Sequence, residues 1–146
     1  MLKLRKFLPK DLEQVLEINQ ASFLQPWPKD ELEKLYQKHP DGFIVAEDSG
    51  KIAGFVVGMI SKNQGKIKLI AVNPDYRGKG VGRNLMEHIF NYFAENEVKE
   101  VMAHSRIHNE SGCAFLKSFG FKIIETVENY YLKGEAAYLM KKGLDG

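Results

Sequence analysis

The sequence predicts an α/β fold in which a mixed sheet of about seven strands carries about four helices on its faces. Three observations predict it. Short runs of apolar and β-branched residues recur along the chain at strand length. The early runs are joined by turn-forming residues only, which makes hairpins. The later runs are separated by stretches of helical spacing, which makes strand–helix–strand units.

The elements follow in order. Leu2, Leu4 and Phe7, set among Lys3, Arg5 and Lys6, predict a first strand. Pro9 opens a helix whose apolar stripe contains Leu12, Val15, Leu16 and Ile18, with Asn19 beside them. Pro26-Trp27-Pro28 interrupts the chain, and a short helix with Leu32, Leu35 and Tyr36 on one face follows. His39-Pro40-Asp41-Gly42 is a turn. Strands are predicted over 43–47, 52–61 and 66–72, separated by Asp48-Ser49-Gly50 and by Asn63-Gln64-Gly65. Over 81–94 the spacing is helical, through Val81, Leu85, Ile89 and Phe93. A strand over 98–106, a helix over 110–119 ended by Gly120, and strands over 121–127 and 136–141 complete the chain.

The bulk properties limit the function classes. A length of 146 residues with 44% hydrophobic and 27% charged residues fits one domain spanning 1–146 with a core of its own. A net charge of +2 gives no case for nucleic acid as a partner. The single Cys113 cannot form an internal disulfide, and four scattered histidines show no metal-ligand spacing. No apolar run reaches the ~18 residues of a membrane span, and residues 1–10 hold no stretch resembling a signal peptide. A cytoplasmic protein without a membrane partner is the expectation.

The segment from Ile70 to Gly82 carries the chemistry. A strand ends in Ile70-Ala71-Val72, a turn with Pro74 follows, and Arg77-Gly78-Lys79-Gly80-Val81-Gly82-Arg83 opens a helix. Glycines let backbone N–H groups converge on one concavity, and the helix N-terminus adds the positive end of its dipole. Such a turn cradles a pyrophosphate. The pattern Arg77-x-x-Gly80-x-Gly82 is weak alone, arising by chance in about one chain in seven of this length. It is neither a Walker loop nor a Rossmann fingerprint.

Several further matches stand in order around it. Phe23 precedes Pro26-Trp27; Arg106-Ile107-His108-Asn109-Glu110-Ser111 leads to Phe119-Gly120-Phe121; and Tyr130-Tyr131 precedes Gly134-Glu135-Ala136-Ala137. With these, nearly the whole chain resembles the GNAT N-acetyltransferases, and within them the protein N-terminal acetyltransferases, including the bacterial ribosomal-protein alanine type. The resemblance implies a mostly antiparallel GNAT sheet, acetyl-CoA as co-substrate, no metal, and a protein or peptide N-terminus as acceptor. It implies backbone contacts to the pantetheine arm from Ile70, Ala71 and Val72. It implies a pyrophosphate site at Arg77, Gly78, Lys79, Gly80, Val81, Gly82 and Arg83, and a further cofactor contact from Asn109. Trp27, Tyr130 and Tyr131 would border the acceptor slot.

Transfer from a thioester to an amine requires a neutral nucleophile and a proton acceptor. Relatives carry a catalytic His at the position of His104, which titrates in a useful range. Many members place a proton-donating Tyr where this sequence has Leu116, and some a Tyr where it has Lys66. Period-two alternation puts Lys66, Lys68, Ile70 and Val72 on one face of their strand, and Met102, His104 and Arg106 on one face of theirs. The resemblance implies that both faces look toward the acceptor site, so His104 would sit near Lys66 or Lys68 and is expected to titrate below ~6.5. Two alternatives stay open: an acetyltransferase for small amines or lysine side chains, and a catalytically silent acyl-CoA-binding module.

Overall fold

The computed structural model describes residues 2–131 and 133–144. The elements are β1 (Leu2–Lys6), α1 (Leu12–Ser22), α2 (Lys29–Lys38), β2 (Phe43–Asp48), β3 (Lys51–Ser61), β4 (Gln64–Val72), α3 (Val81–Glu95), β5 (Glu100–Arg106), α4 (Glu110–Ser118), β6 (Lys122–Val127) and β7 (Ala137–Gly143). Their order is the one the sequence predicts. One turn is placed differently: Gln64 and Gly65 belong to β4, and Lys62 and Asn63 make the connection, with Lys62 at φ 58°. Ser61 pairs with Gln64, so the hairpin closes over two residues.

The strands form one sheet in the order β1-β2-β3-β4-β5-β7-β6, antiparallel everywhere except between β4 and β5. Each face carries its own core. On one, α3 and α4 press Leu85, Met86, Ile89, Phe93 and Leu116 onto Ile44, Val56, Ile67, Val101 and Ala103. On the other, α1 and α2 press Val15, Ile18, Leu32 and Leu35 onto Phe43, Val45, Phe55, Val57, Leu69 and Ala71. The helix α3 lies close to the sheet because β3 and β4 present glycines beneath it. A Cβ on Gly58 would stand 2.8 Å from Ile89, and one on Gly65 3.0 Å from Phe93.

Among the described residues no helix is long and apolar enough to cross a membrane.

Candidate active site

The parallel pairing of β4 with β5 is short. It runs from Gln64 opposite Glu100 to Ile67 opposite Ala103 and stops there, although both strands continue. β3 and β7 hold the outer edges of the two strands beyond that point. The inner edges of residues 68–72 and 104–106 therefore have no strand partner in each other. The local cause is a bulge. Val57 pairs with Leu69 and Gly58 with Ile67, leaving Lys68 as an extra residue. A bulge bends the strand that carries it.

The same bulge corrects the expected faces of β4. Ile67, Ile70 and Val72 pack with the α3–α4 core, whereas Leu69 and Ala71 belong to the α1–α2 core. The Nζ of Lys68 stands 5.1 Å over the ring of Trp27, which packs with the α1–α2 core. The extra residue shifts the alternation by one, so Lys66 and Lys68 lie opposite Ile70 and Val72 instead of beside them. On β5, Val101 and Ala103 face α3 and α4, so Met102, His104 and Arg106 share the lysines' face.

A cavity of about 900 Å³ occupies the opening and is lined from both faces of the sheet. That volume lies within the range of small-ligand sites. On the α3–α4 side the lining includes Arg77, Gly82, Asn109, Phe115 and Leu116. Asn73 starts the preceding turn by accepting from the Asp75 N–H at 3.0 Å. Gly78 and Gly80 then take φ of +76° and +81°, which L side chains avoid, and a Cβ on either would meet nothing within 4 Å among the described residues. Gly80 is the N-cap of α3 and supplies no side-chain cap, so the first N–H groups of the helix stay available. Lys79 Nζ stands 5.6 Å over the Tyr76 ring, and the Arg83 guanidinium 4.7 Å over that of Phe119. Gly78, Lys79, Gly80 and Arg83 are exposed at the surface outside the cavity lining, and the Val81 side chain is buried in the core. Ile70, Ala71 and Val72 line the cavity along the open edge of β4. Asn109 caps α4: its side-chain oxygen accepts from the Gly112 N–H at 2.9 Å.

On the other face the rings of His104 and Tyr130 are stacked, 4.2 Å between centroids and 12° apart. Tyr131 meets Tyr130 edge-on at 4.9 Å, and the Arg106 guanidinium covers Tyr131 at 4.0 Å. Arg106 donates to the Glu135 carboxylate, and the Glu135 carbonyl accepts from the N–H groups of Tyr130 and Tyr131. The two tyrosines are thus fixed by β5 and by the chain leading into β7. The His104 pKa is lowered to about 4, chiefly by burial and further by the charges of Lys66 and Lys68. The direction is the expected one, with burial ahead of the lysines as the cause. His104 Nδ1 is buried without a hydrogen-bond partner among the described residues. Burial also lowers the pKa of Lys66 and raises those of both tyrosines.

Three features escaped the sequence reading. Asn19 is fully buried, donating to the Trp27 carbonyl at 2.7 Å and accepting from the Trp27 N–H at 3.0 Å. A polar residue beside the apolar stripe of α1 was the available signal. The clasp of Arg106 on Tyr131 and Glu135 joins residues far apart in sequence and left no signal. Lys68 against Trp27 depends on the bulge. Cys113 is a packed residue, its Sγ 4.0 Å from the Met140 Sδ. Among the described residues no group of His, Cys, Asp or Glu is arranged to hold a metal.

Residues 12–121 match the acetyltransferase (GNAT) family. An uncharacterized N-acetyltransferase of Methanocaldococcus jannaschii is 31% identical over 140 residues, which is 95% of this chain and 90% of that one. An N-alpha-acetyltransferase of Sulfurisphaera tokodaii is 27% identical over 89% of this chain and 86% of its own. The crystal structure of Ard1 from Thermoplasma volcanium superposes with a TM-score of 0.95 at 31% identity, over 99% of both chains. With a sheet that parts between β4 and β5 and a glycine-rich turn opening α3 beside the gap, the chain belongs to the GNAT acetyltransferase family.

Proposed function

We propose that the protein transfers an acetyl group from acetyl-CoA to the α-amine at a protein or peptide N-terminus, by direct attack with both substrates bound. The observation that carries this reading is the cavity itself. On one face it reaches Arg77 and Gly82, beside the uncapped N-terminus of α3, and on the other His104 beneath a fixed pair of tyrosines.

The residues present fit acetyl-CoA. The space over Gly78 and Gly80 is open where a Cβ would fill it, and the α3 N–H groups have no side-chain cap. In this reading the N–H groups of residues 78–83 hold the pyrophosphate, with Arg77 and Lys79 adding charge. The open edge of Ile70, Ala71 and Val72 takes the pantetheine amides as a strand would, and Asn109 offers its amide from the start of α4. Bound there, acetyl-CoA supplies an activated acetyl thioester. Trp27, Tyr130 and Tyr131 border the acceptor, and the name of the Sulfurisphaera tokodaii relative favours an α-amine.

In this reading His104 acts as the base during attack, not before it. An α-amine near pKa 8 is neutral about one time in ten at pH 7, a cost of about 1.4 kcal/mol. A His held well below its ordinary range by burial is a poor acceptor for the ammonium proton. The amine therefore loses its first proton to solvent. His104 receives the second, which becomes acidic as the N–C bond forms. Leu116 is buried and has no proton to give, so the departing thiolate takes its proton from water or from a tyrosine hydroxyl at the cavity.

The test is acetyl transfer across peptides varied at their first two residues. Matched peptides with a blocked α-amine, polyamines and lysine peptides serve as competitors. Turnover that requires a free α-amine is expected. Equal turnover of blocked lysine peptides or polyamines would replace this reading. Leu116 favours a second one, a silent acyl-CoA-binding module, which tight acetyl-CoA binding with no turnover on any amine would establish.

A further inference from the structure

The side chains lining the cavity are unevenly charged. They include four cations, Lys66, Lys68, Arg77 and Arg106, and one carboxylate, Glu31. Two of the cations already have work. Arg106 is paired with Glu135, and Arg77 belongs to the glycine-rich turn. The carboxylate of Glu31 lies 3.7 Å from Lys34 on its own helix. Lys66 and Lys68 have no carboxylate within ion-pair distance among the described residues.

These two lysines do not simply extend into solvent, the usual resting place of such chains. Both are half-buried. Lys68 is held over the face of Trp27, whose backbone is pinned by Asn19. Burial and the neighbouring Lys68 charge lower the Lys66 pKa, so its charge is poorly solvated. An unpaired, poorly solvated ammonium is stabilised by any anion that reaches it. The anion cannot be the pyrophosphate expected at the start of α3, because the bulge turns both lysines to the opposite face of the sheet. That face carries His104, Tyr130 and Tyr131.

Building on the peptide reading above, we propose that Lys66 and Lys68 select acceptors with an acidic side chain in the first two residues. The acid would sit against the lysines while the α-amine reaches the neighbouring His104. Complementary charge of this kind discriminates between ligands more than it raises overall affinity.

The experiment compares kcat/KM for peptides identical except at their start: Ala-Glu against Ala-Gln, and Asp-Ala against Asn-Ala. Wild type is expected to favour the acidic member of at least one pair tenfold or more, equivalent to about 1.4 kcal/mol. The preference should shrink to near unity in Lys66→Gln/Lys68→Gln, and acetyl-CoA affinity by calorimetry should stay as it was. Thermal melting checks that the double variant folds. Should it not fold, Lys68→Gln alone and a salt series on wild type take its place, and the preference should fall with either. Acidic and neutral peptides used equally by wild type would overturn the proposal and leave the peptide reading standing. A preference that persists in the variant, or a uniform loss of rate on every peptide, would also overturn it. No turnover of any peptide, with free small amines acetylated, would overturn both.

Discussion

The two faces of the opening between β4 and β5 are built from the same strands and differ in how they are held. On the α3–α4 face the chemistry is backbone: positive-φ glycines and an uncapped helix N-terminus, all within one continuous segment. On the α1–α2 face it is side chains from separate parts of the chain: Trp27, Lys66, Lys68, His104, Tyr130 and Tyr131. A backbone cradle is shaped by local conformation and tolerates drift of the surrounding side chains. A side-chain face has to be positioned by tertiary contacts, here Asn19 on Trp27 and Arg106 on Tyr131. The lesson is that the first face is suited to a ligand common to a family and the second to one particular to a member.

The comparison can be broken by changing one face and reading the other. The largest effect is expected from His104→Ala. It should lower kcat on a good peptide 10²-fold or more and leave acetyl-CoA affinity unchanged. A variant within a fewfold of wild type would make His104 a packing residue of the tyrosine wall. Next is Gly80→Leu. The site has room for a side chain, but φ of +81° costs roughly 1–2 kcal/mol of strain, and the side chain stands where the pyrophosphate is proposed to lie. Calorimetry should show acetyl-CoA binding weakened at least tenfold, about 1.4 kcal/mol. Unchanged affinity would remove the turn from the binding site.

A smaller and more selective effect is expected from Tyr131→Ala, which removes the ring between Tyr130 and Arg106. The peptide KM should rise severalfold more than the acetyl-CoA KM. Equal changes would show that the two faces respond as one body.

The smallest effect concerns stability. The folded-state pKa of His104 lies near 4, below the ~6.5 of the unfolded chain. Between these values the unfolded state binds the extra proton, so stability is lost as pH falls through the window. Thermal melts at pH 7.5 and pH 4.5 should show wild type losing more than His104→Gln. Equal losses would mean that the imidazole is better solvated than its burial among Tyr130, Lys66 and Lys68 implies.

How much of this was legible depended on locality. The order of strands and helices followed from periodicity and turn residues, because alternation and helical spacing are properties of the chain itself. The single misplaced turn, at residues 62–63, came from reading Gln64-Gly65 as a turn signal. In the fold Gly65 serves instead to let Phe93 approach β4.

The glycine-rich turn was the part of the candidate site that the sequence alone determined. Its residues are adjacent, and glycine has one physical reason to recur before a helix that must leave its N–H groups free. Tertiary structure decided the rest. The partition of the β4 side chains between two faces turned on a one-residue bulge, invisible to any count of alternation because it exists only in the pairing with β3. The pairing of β4 with β5 and its early end depend on strands separated by the whole of α3. The setting of His104 depends on burial beneath Tyr130, a contact that forms only once the chain has closed on itself.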